Sequence, residues 1–178
     1  MPEAASFAAD FAAARDYVAL FRVVKRVVER ELGRSRAGMM LGLAPLGLAP
    51  DGFLGGYFVV GSNAIVLNRD VLRYVQAHAP EHVHAYAFHV LLHEYLHTLG
   101  WFREDEVRPL ALDVSRRALG DEHPATRIAA AMVPGAGGEP IAFFRNLVYP
   151  PFGWAPRLDA PIEIVKGFDP DASTGYIQ

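Results

Sequence analysis

The chain contains no cysteine. That excludes a disulfide framework and a thiolate nucleophile, and it leaves histidine and carboxylate as the side chains able to hold a metal. It also lacks a surplus of basic charge. Its 17 Lys and Arg stand against 20 Asp and Glu, for a formal charge of −3 and a pI near 6.1. No electrostatic case for a nucleic-acid partner follows. No apolar run approaches the roughly 18 residues that suggest a membrane span, and the stretch 38–50 is broken by Pro45. The first residues carry Glu3, Asp10 and Arg15 among alanines, without the unbroken apolar centre of a signal peptide. The expectation is a soluble cytoplasmic protein with no membrane partner. At 178 residues, 52% of them hydrophobic, the chain suits one domain over 1–178 with a sizeable core.

What the chain does have is histidine. Six of its seven fall at His78, His82, His84, His89, His93 and His97. Residues 93–97 read His-Glu-Tyr-Leu-His, the H-E-x-x-H pattern. One helical turn takes about 3.6 residues, so His93 and His97 stand one above the other while Glu94 lies about 100° round the axis. Two imidazoles can then share an ion, and the carboxylate can reach a metal-bound water without ligating. The competing reading is a solvated helix that happens to be rich in histidine. Against it, Phe88, Leu92, Tyr95, Leu96 and Leu99 form an apolar stripe beside the pair, as expected where a half-buried cleft forms. His89 extends the series, but eight residues of helix rise about 12 Å while Zn–N bonds are about 2 Å. It is therefore not a third ligand to the same ion. It is expected behind the ligands, or packed and bonded to backbone.

The rest of the chain reads as α+β: a small sheet or hairpin packed on the motif helix, with flanking helices. Phe7, Phe11, Tyr17, Val18, Phe21, Val24 and Val28 follow helical spacing over 6–32, with Gly33 as the stop. Arg22, Lys25, Arg26 and Arg30 suggest a solvated face there, a partner-binding role being the other option. Strands are expected over 38–67. Gly38–Leu43 reads as an inner strand, and Tyr57–Val60 and Asn63–Leu67 as a hairpin closed by Gly61-Ser62 in a type II′ turn. Asn68 is a good N-cap for a short helix that turns Val71, Leu72 and Val75 inward. Pro80 begins the motif helix, 80–99, and Gly100 ends it. A further helix is expected over 104–119, with Pro109 near its first turn or kinking it, and Gly120 closing it. Residues 133–178 form an irregular wrap. It is rich in proline and carries Phe143, Phe144, Tyr149, Phe152 and Trp154, with a possible strand at Ile162–Val165.

A catalytic zinc usually takes three protein ligands and one water. Downstream of His97 the candidates are Glu104, Asp105, Glu106, Asp113 and His123. The motif helix ends within a turn of His97, so residues just beyond it stay near the ion. Asp113 and His123 fall roughly 10 Å or more further along the next helix. Glu104 ranks first and Glu106 second. The acidic run also has a plainer explanation, a favourable interaction with a helix N-terminus.

His93-Glu94-Tyr95-Leu96-His97-Thr98-Leu99-Gly100 resembles the active helix of the zincin metallopeptidases. The resemblance covers this helix and the turn after it. It implies that His93 and His97 bind Zn2+ and that Glu94 is the general base. Metzincins extend the motif to H-E-x-x-H-x-x-G-x-x-H or D. Gly100 matches, but Arg103 stands where the third ligand would be. Gluzincins use a glutamate on a following helix, which agrees in kind with Glu104–Glu106. Met132 is similar in setting to the metzincin Met-turn, although a lone Met before Val-Pro is commonly core. The resemblance further implies an edge strand over the cleft with substrate antiparallel to it, a place the Tyr57–Leu67 hairpin can fill. The expected activity is zinc-dependent hydrolysis of a peptide or protein substrate, with Arg108, His123 or Tyr149 supporting the oxyanion. Hydrolysis of a non-peptide bond and a non-catalytic, zinc-braced interaction module are the alternatives.

Overall fold

A computed structural model describes residues 2–49, 53–145 and 156–169, with side chains described from Phe7 onward, except that of Arg145. The class is α+β: seven α-helices and a four-stranded mixed sheet among the described residues. No helix among them is long and apolar enough to cross a membrane.

The expected helix over 6–32 is two helices, α1 (Pro2–Ala13) and α2 (Tyr17–Leu32). Asp16 makes the break. It takes extended backbone, and its carboxylate accepts the Ala19 N–H at 2.8 Å, an N-cap that starts a new helix. Gly33 ends α2 as expected, at φ 63°. The basic face of α2 is not simply solvated. Lys25 pairs at 3.2 Å with Asp169, whose side chain is fully buried, and the other Asp169 oxygen accepts the Met39 N–H. Arg26 pairs with Asp10, and the Arg30 guanidinium lies 4.2 Å from the Phe7 ring centre.

The sheet runs β2-β3-β1-β4, with β1 at Met40–Ala44, β2 at Gly56–Phe58, β3 at Ala64–Asn68 and β4 at Glu163–Val165. β1 is an inner strand, parallel to β3 (Leu41 opposite Ile65) and antiparallel to β4 (Gly42 opposite Ile164). Leu41, Ile65 and Leu67 belong to the main core, whereas Val66 turns to a second cluster with Ala44 and Leu46. Strand alternation accounts for the split. β2 and β3 form the antiparallel hairpin, Tyr57 opposite Val66, but its turn differs from the two-residue loop expected. Val59 C=O accepts the Ser62 N–H at 3.0 Å, so Val60 and Gly61 are the central pair. Gly61, third in the turn, has φ 81°, the type II signature rather than II′.

α3 (Arg69–His78) is capped by Asn68 and buries Val71, Leu72 and Val75. The motif helix begins as a 3-10 turn, Pro80–His82, and continues as α4 (Val83–Thr98). α5 (Glu104–Leu119) has the expected bounds, with Pro109 inside it. α6 (Pro124–Ala131) was not anticipated; Pro124 occupies the first position, where a missing N–H costs nothing. In the wrap, α7 (Ala142–Arg145) brings a fully buried Phe144 onto Tyr86. Tyr149, Phe152 and Trp154 lie outside the described residues.

α4 is the central element, packed by α2, α3, α5, α6, β2 and β3. From Ala85 to Thr98 every residue is buried except His93 and His97. A helix apolar all round belongs in a core. This one opens to solvent only where its motif histidines stand.

Candidate metal centre

His93 and His97 project from successive turns of α4, and their Nε2 atoms lie 3.1 Å apart. Glu104 is the first residue of α5, and the Leu99–Arg103 turn returns it to the same spot. Its Oε1 is 3.4 Å from His93 Nε2 and 3.3 Å from His97 Nε2. Among the described residues these three are the group whose ligand atoms converge enough to hold a metal ion. The fit is testable by geometry. With metal–ligand bonds of ~2.0–2.1 Å, the donor atoms of a tetrahedral zinc site lie about 3.3 Å apart. All three separations fall close to that value.

The turn also sets the chemistry of the ring. His97 Nδ1 lies 2.7 Å from the Trp101 carbonyl. That pairing keeps a proton on Nδ1, so that an ion displacing the Nε2 proton meets the Nε2 lone pair, a common arrangement behind metal-binding histidines. Gly100 permits the turn at φ 107°, its N–H bonded to His97 C=O. Glu104 is fixed from its other side, where Oε2 accepts from Arg108 Nε at 2.8 Å. Hydrogen bonds from His93 and His97 hold the Glu104 carboxyl well below the usual carboxylate range, so it stands as the anion that ligation needs. Burial opposes charge on His97, but the Glu104 hydrogen bond, the Glu94 charge and the Trp101 carbonyl outweigh it and raise its pKa.

The other proposed ligands are elsewhere. Asp105 turns away to Arg103 at 2.6 Å, and Glu106 lies 3.6 Å from the same side chain. Asp113 pairs with Arg117 on an exposed face of α5. His123 caps α6, its Nδ1 accepting the Ala125 N–H at 3.2 Å, with its ring edge-on to Phe11. It belongs neither to the converging trio nor to the residues that line the cleft. Tyr149 lies outside the described residues. Arg108 does face the cleft, although one of its N–H groups is engaged by Glu104. Met132, at the end of α6, lies in the cleft wall.

The chain shows no significant match to any protein-family model, curated protein or solved structure. Geometry alone therefore carries the reading of this site.

Glu94 is buried beside the trio and lines the same cleft. Burial pushes its carboxyl up; His93, His97 and the Phe58 N–H that donates to it pull the other way. That N–H belongs to the edge strand. The ladder bonds Val59 N–H to Ala64 C=O and Asn68 N–H to Gly55 C=O place 55, 57 and 59 as the residues paired to β3. By antiparallel alternation, the backbone groups of Gly56 and Phe58 point away from β3. No strand among the described residues pairs with that side. β2 can lie this close because residues 55 and 56 lack side chains. A Cβ on Gly56 would sit 2.8 Å from the Val66 carbonyl and 3.0 Å from Val90, and one on Gly55 would sit 2.8 Å from the Tyr86 hydroxyl. The cleft between β2 and α4 measures about 530 Å³.

Sequence reading missed two positioning residues, Arg34 and Arg36, in the linker after α2. Arg36 donates to Thr98 C=O at 2.8 Å, Ser62 C=O at 3.0 Å and Asn63 Oδ1 at 2.7 Å. It ties the end of the motif helix to the hairpin turn and satisfies one of the carbonyls a helix end leaves open. Arg34 donates to Leu99 C=O and lies over Trp101. Their partners are far away in sequence, so no local pattern marks them. His89 is buried against the cleft, but among the described residues its Nδ1 has no hydrogen-bond partner, so the expected backbone bond at that nitrogen is not found among them. Burial, with His93 and Arg108 nearby, lowers its pKa to about 3.

Proposed function

We propose that the chain is a zinc-dependent peptidase. One observation carries this reading: His93, His97 and Glu104 converge at tetrahedral spacing beside a buried Glu94, in a cleft bordered by a strand edge that no described strand pairs with. The same arrangement is what resemblance to the zincins implies, with a gluzincin-like choice of third ligand.

An ion held by His93 Nε2, His97 Nε2 and Glu104 Oε1 would supply an activated water and a polarised scissile carbonyl. The chain's own groups supply the rest. Glu94 accepts the proton from the attacking water and passes it to the leaving amine. Its burial favours the basicity that such a shuttle needs at neutral pH. The outward N–H and C=O of Gly56 and the outward C=O of Phe58 offer ladder bonds to an extended peptide. Arg108 is the cationic donor nearest the trio and is suited to the oxyanion.

Two features weigh against a purely structural zinc. Such a site is closed by four protein ligands, while among the described residues three converge. The cleft also opens at that point. A peptide is favoured over a small ester or amide by the strand edge, which a non-peptide substrate would leave unused. The test is Glu94→Gln, assayed on a peptide library and on a panel of small esters and amides. The variant keeps its metal and loses cleavage by at least about 10²-fold. Full cleavage by the metal-loaded variant overturns the mechanism, and turnover of esters alone moves the reading to a non-peptide hydrolase.

A further inference from the structure

The cleft extends beyond the metal trio along α4. Tyr86, His89 and His93 share one face of that helix, so the far end lies about 10 Å from the level of His93, within reach of a long side chain. Phe53, Leu54 and Val90, beside Gly55 and Tyr86, supply apolar walls there. Two polar groups interrupt them. Tyr86 is 1% exposed and His89 4% exposed, both line the cleft, and among the described residues the Tyr86 hydroxyl and His89 Nδ1 have no hydrogen-bond partner. Buried polar groups are nearly always paired, and an orphan in a native fold calls for a cause. Two orphans along one cleft, on the helix that bears the metal ligands, point to a ligand that completes them.

We propose that this recess is a specificity subsite for a substrate side chain with an apolar body and an uncharged hydrogen-bonding tip, tyrosine above all and glutamine next. Tyr86 both donates and accepts, and a neutral imidazole does one or the other at Nδ1. A hydroxyl or a primary amide, which also does both, satisfies the pair. A charged tip would leave water for two neutral partners, which disfavours aspartate, glutamate, lysine and arginine. Both atoms are almost wholly shielded from water, so the bonds they form are dry and discriminate sharply against an analogue that lacks the tip. Assignment to a peptide residue rests on the peptidase reading; the recess and its orphaned groups do not.

The test uses the full chain and two probes, p-cresol and toluene, followed by NMR titration. p-Cresol binds about tenfold more tightly than toluene, the worth of one net hydrogen bond, with shifts centred on Tyr86, His89 and Val90. Tyr86→Phe removes the preference. It folds at least as stably as the parent, because the hydroxyl it deletes is unpaired, and His89→Gln serves as a second variant. A peptide library treated with the zinc-loaded protein is cut beside tyrosine or glutamine in preference to phenylalanine or methionine. Equal binding of the two probes, or a preference that survives Tyr86→Phe, overturns the subsite and leaves the orphans as groups paired by structural water. If peptides are cut without this preference, the subsite fails and the peptidase reading stands. If no peptide is cut but the p-cresol preference holds, the peptidase reading fails and the recess stands for the same ligand chemistry.

Discussion

Arg108 holds Glu104 by one oxygen and leaves the other for the histidines. Nε to Oε2 is 2.8 Å, while Oε1 stays 3.4 and 3.3 Å from the two imidazoles. The pair is one turn apart on α5, so the orienting cation and the carboxylate it orients move together. Groups that fix a ligand from behind typically contribute 10- to 100-fold in metal affinity. Arg108→Ala is therefore expected to weaken zinc binding by about that factor, read by competition with a chromophoric chelator. Unchanged affinity would mean that the carboxylate needs no such support.

Gly56 sets the distance between the edge strand and the motif helix. A methyl group there meets the Val66 carbonyl at 2.8 Å and Val90 at 3.0 Å, and neither is the free end of a flexible side chain. Gly56→Ala is expected to cost about 1–3 kcal/mol, the range for overfilling a packed site. It also moves β2 away from Glu94, so cleavage falls with stability. Denaturant midpoints measure the first effect and peptide turnover the second. A variant as stable and active as the parent would show that the close approach is not required.

His123 makes stability sensitive to acid. Burial holds its pKa below the ordinary value of 6.5, and only the neutral ring can accept the Ala125 N–H. The unfolded chain therefore takes up the proton first. The stabilisation is fully present above about pH 6.5 and is lost as pH falls through the folded-state value. Buried His89, lowered to about 3, acts in the same direction. His123→Asn keeps a good cap without a titrating ring. Its unfolding free energy, measured by denaturant between pH 7 and 5, should decline less steeply than the parent's. An identical slope would remove His123 from the account.

The elements that were legible in the sequence are those whose signals are local. Asn68 before Arg69, Gly100 after Leu99 and the four-residue histidine spacing each lie within a turn of what they determine, and the helices they mark form, the motif helix with a 3-10 turn at its start. The break at Asp16 was hidden because apolar spacing continues across it from Phe11 to Tyr17. α6 was missed because it is short and alanine-rich, although Pro124 after a polar residue is a start signal. Sheet order is another matter. Leu41 meets Ile65 and Gly42 meets Ile164, and such pairings are decided by packing, not by neighbours in sequence. The same is true of Arg36, which joins Thr98 to the Val59–Asn63 turn. Glu104 was accessible because it follows the helix end closely, while its bond to Arg108 depends on side-chain direction that spacing alone leaves open.

The central claim is that His93, His97 and Glu104 together hold one divalent ion. Its most direct test is elemental analysis of protein purified without added metal, alongside His93→Ala prepared in the same way. The account predicts close to one zinc per chain in the parent and almost none in the variant. Stoichiometric metal retained by His93→Ala, or a parent that binds no zinc even when supplied with it, would contradict the account.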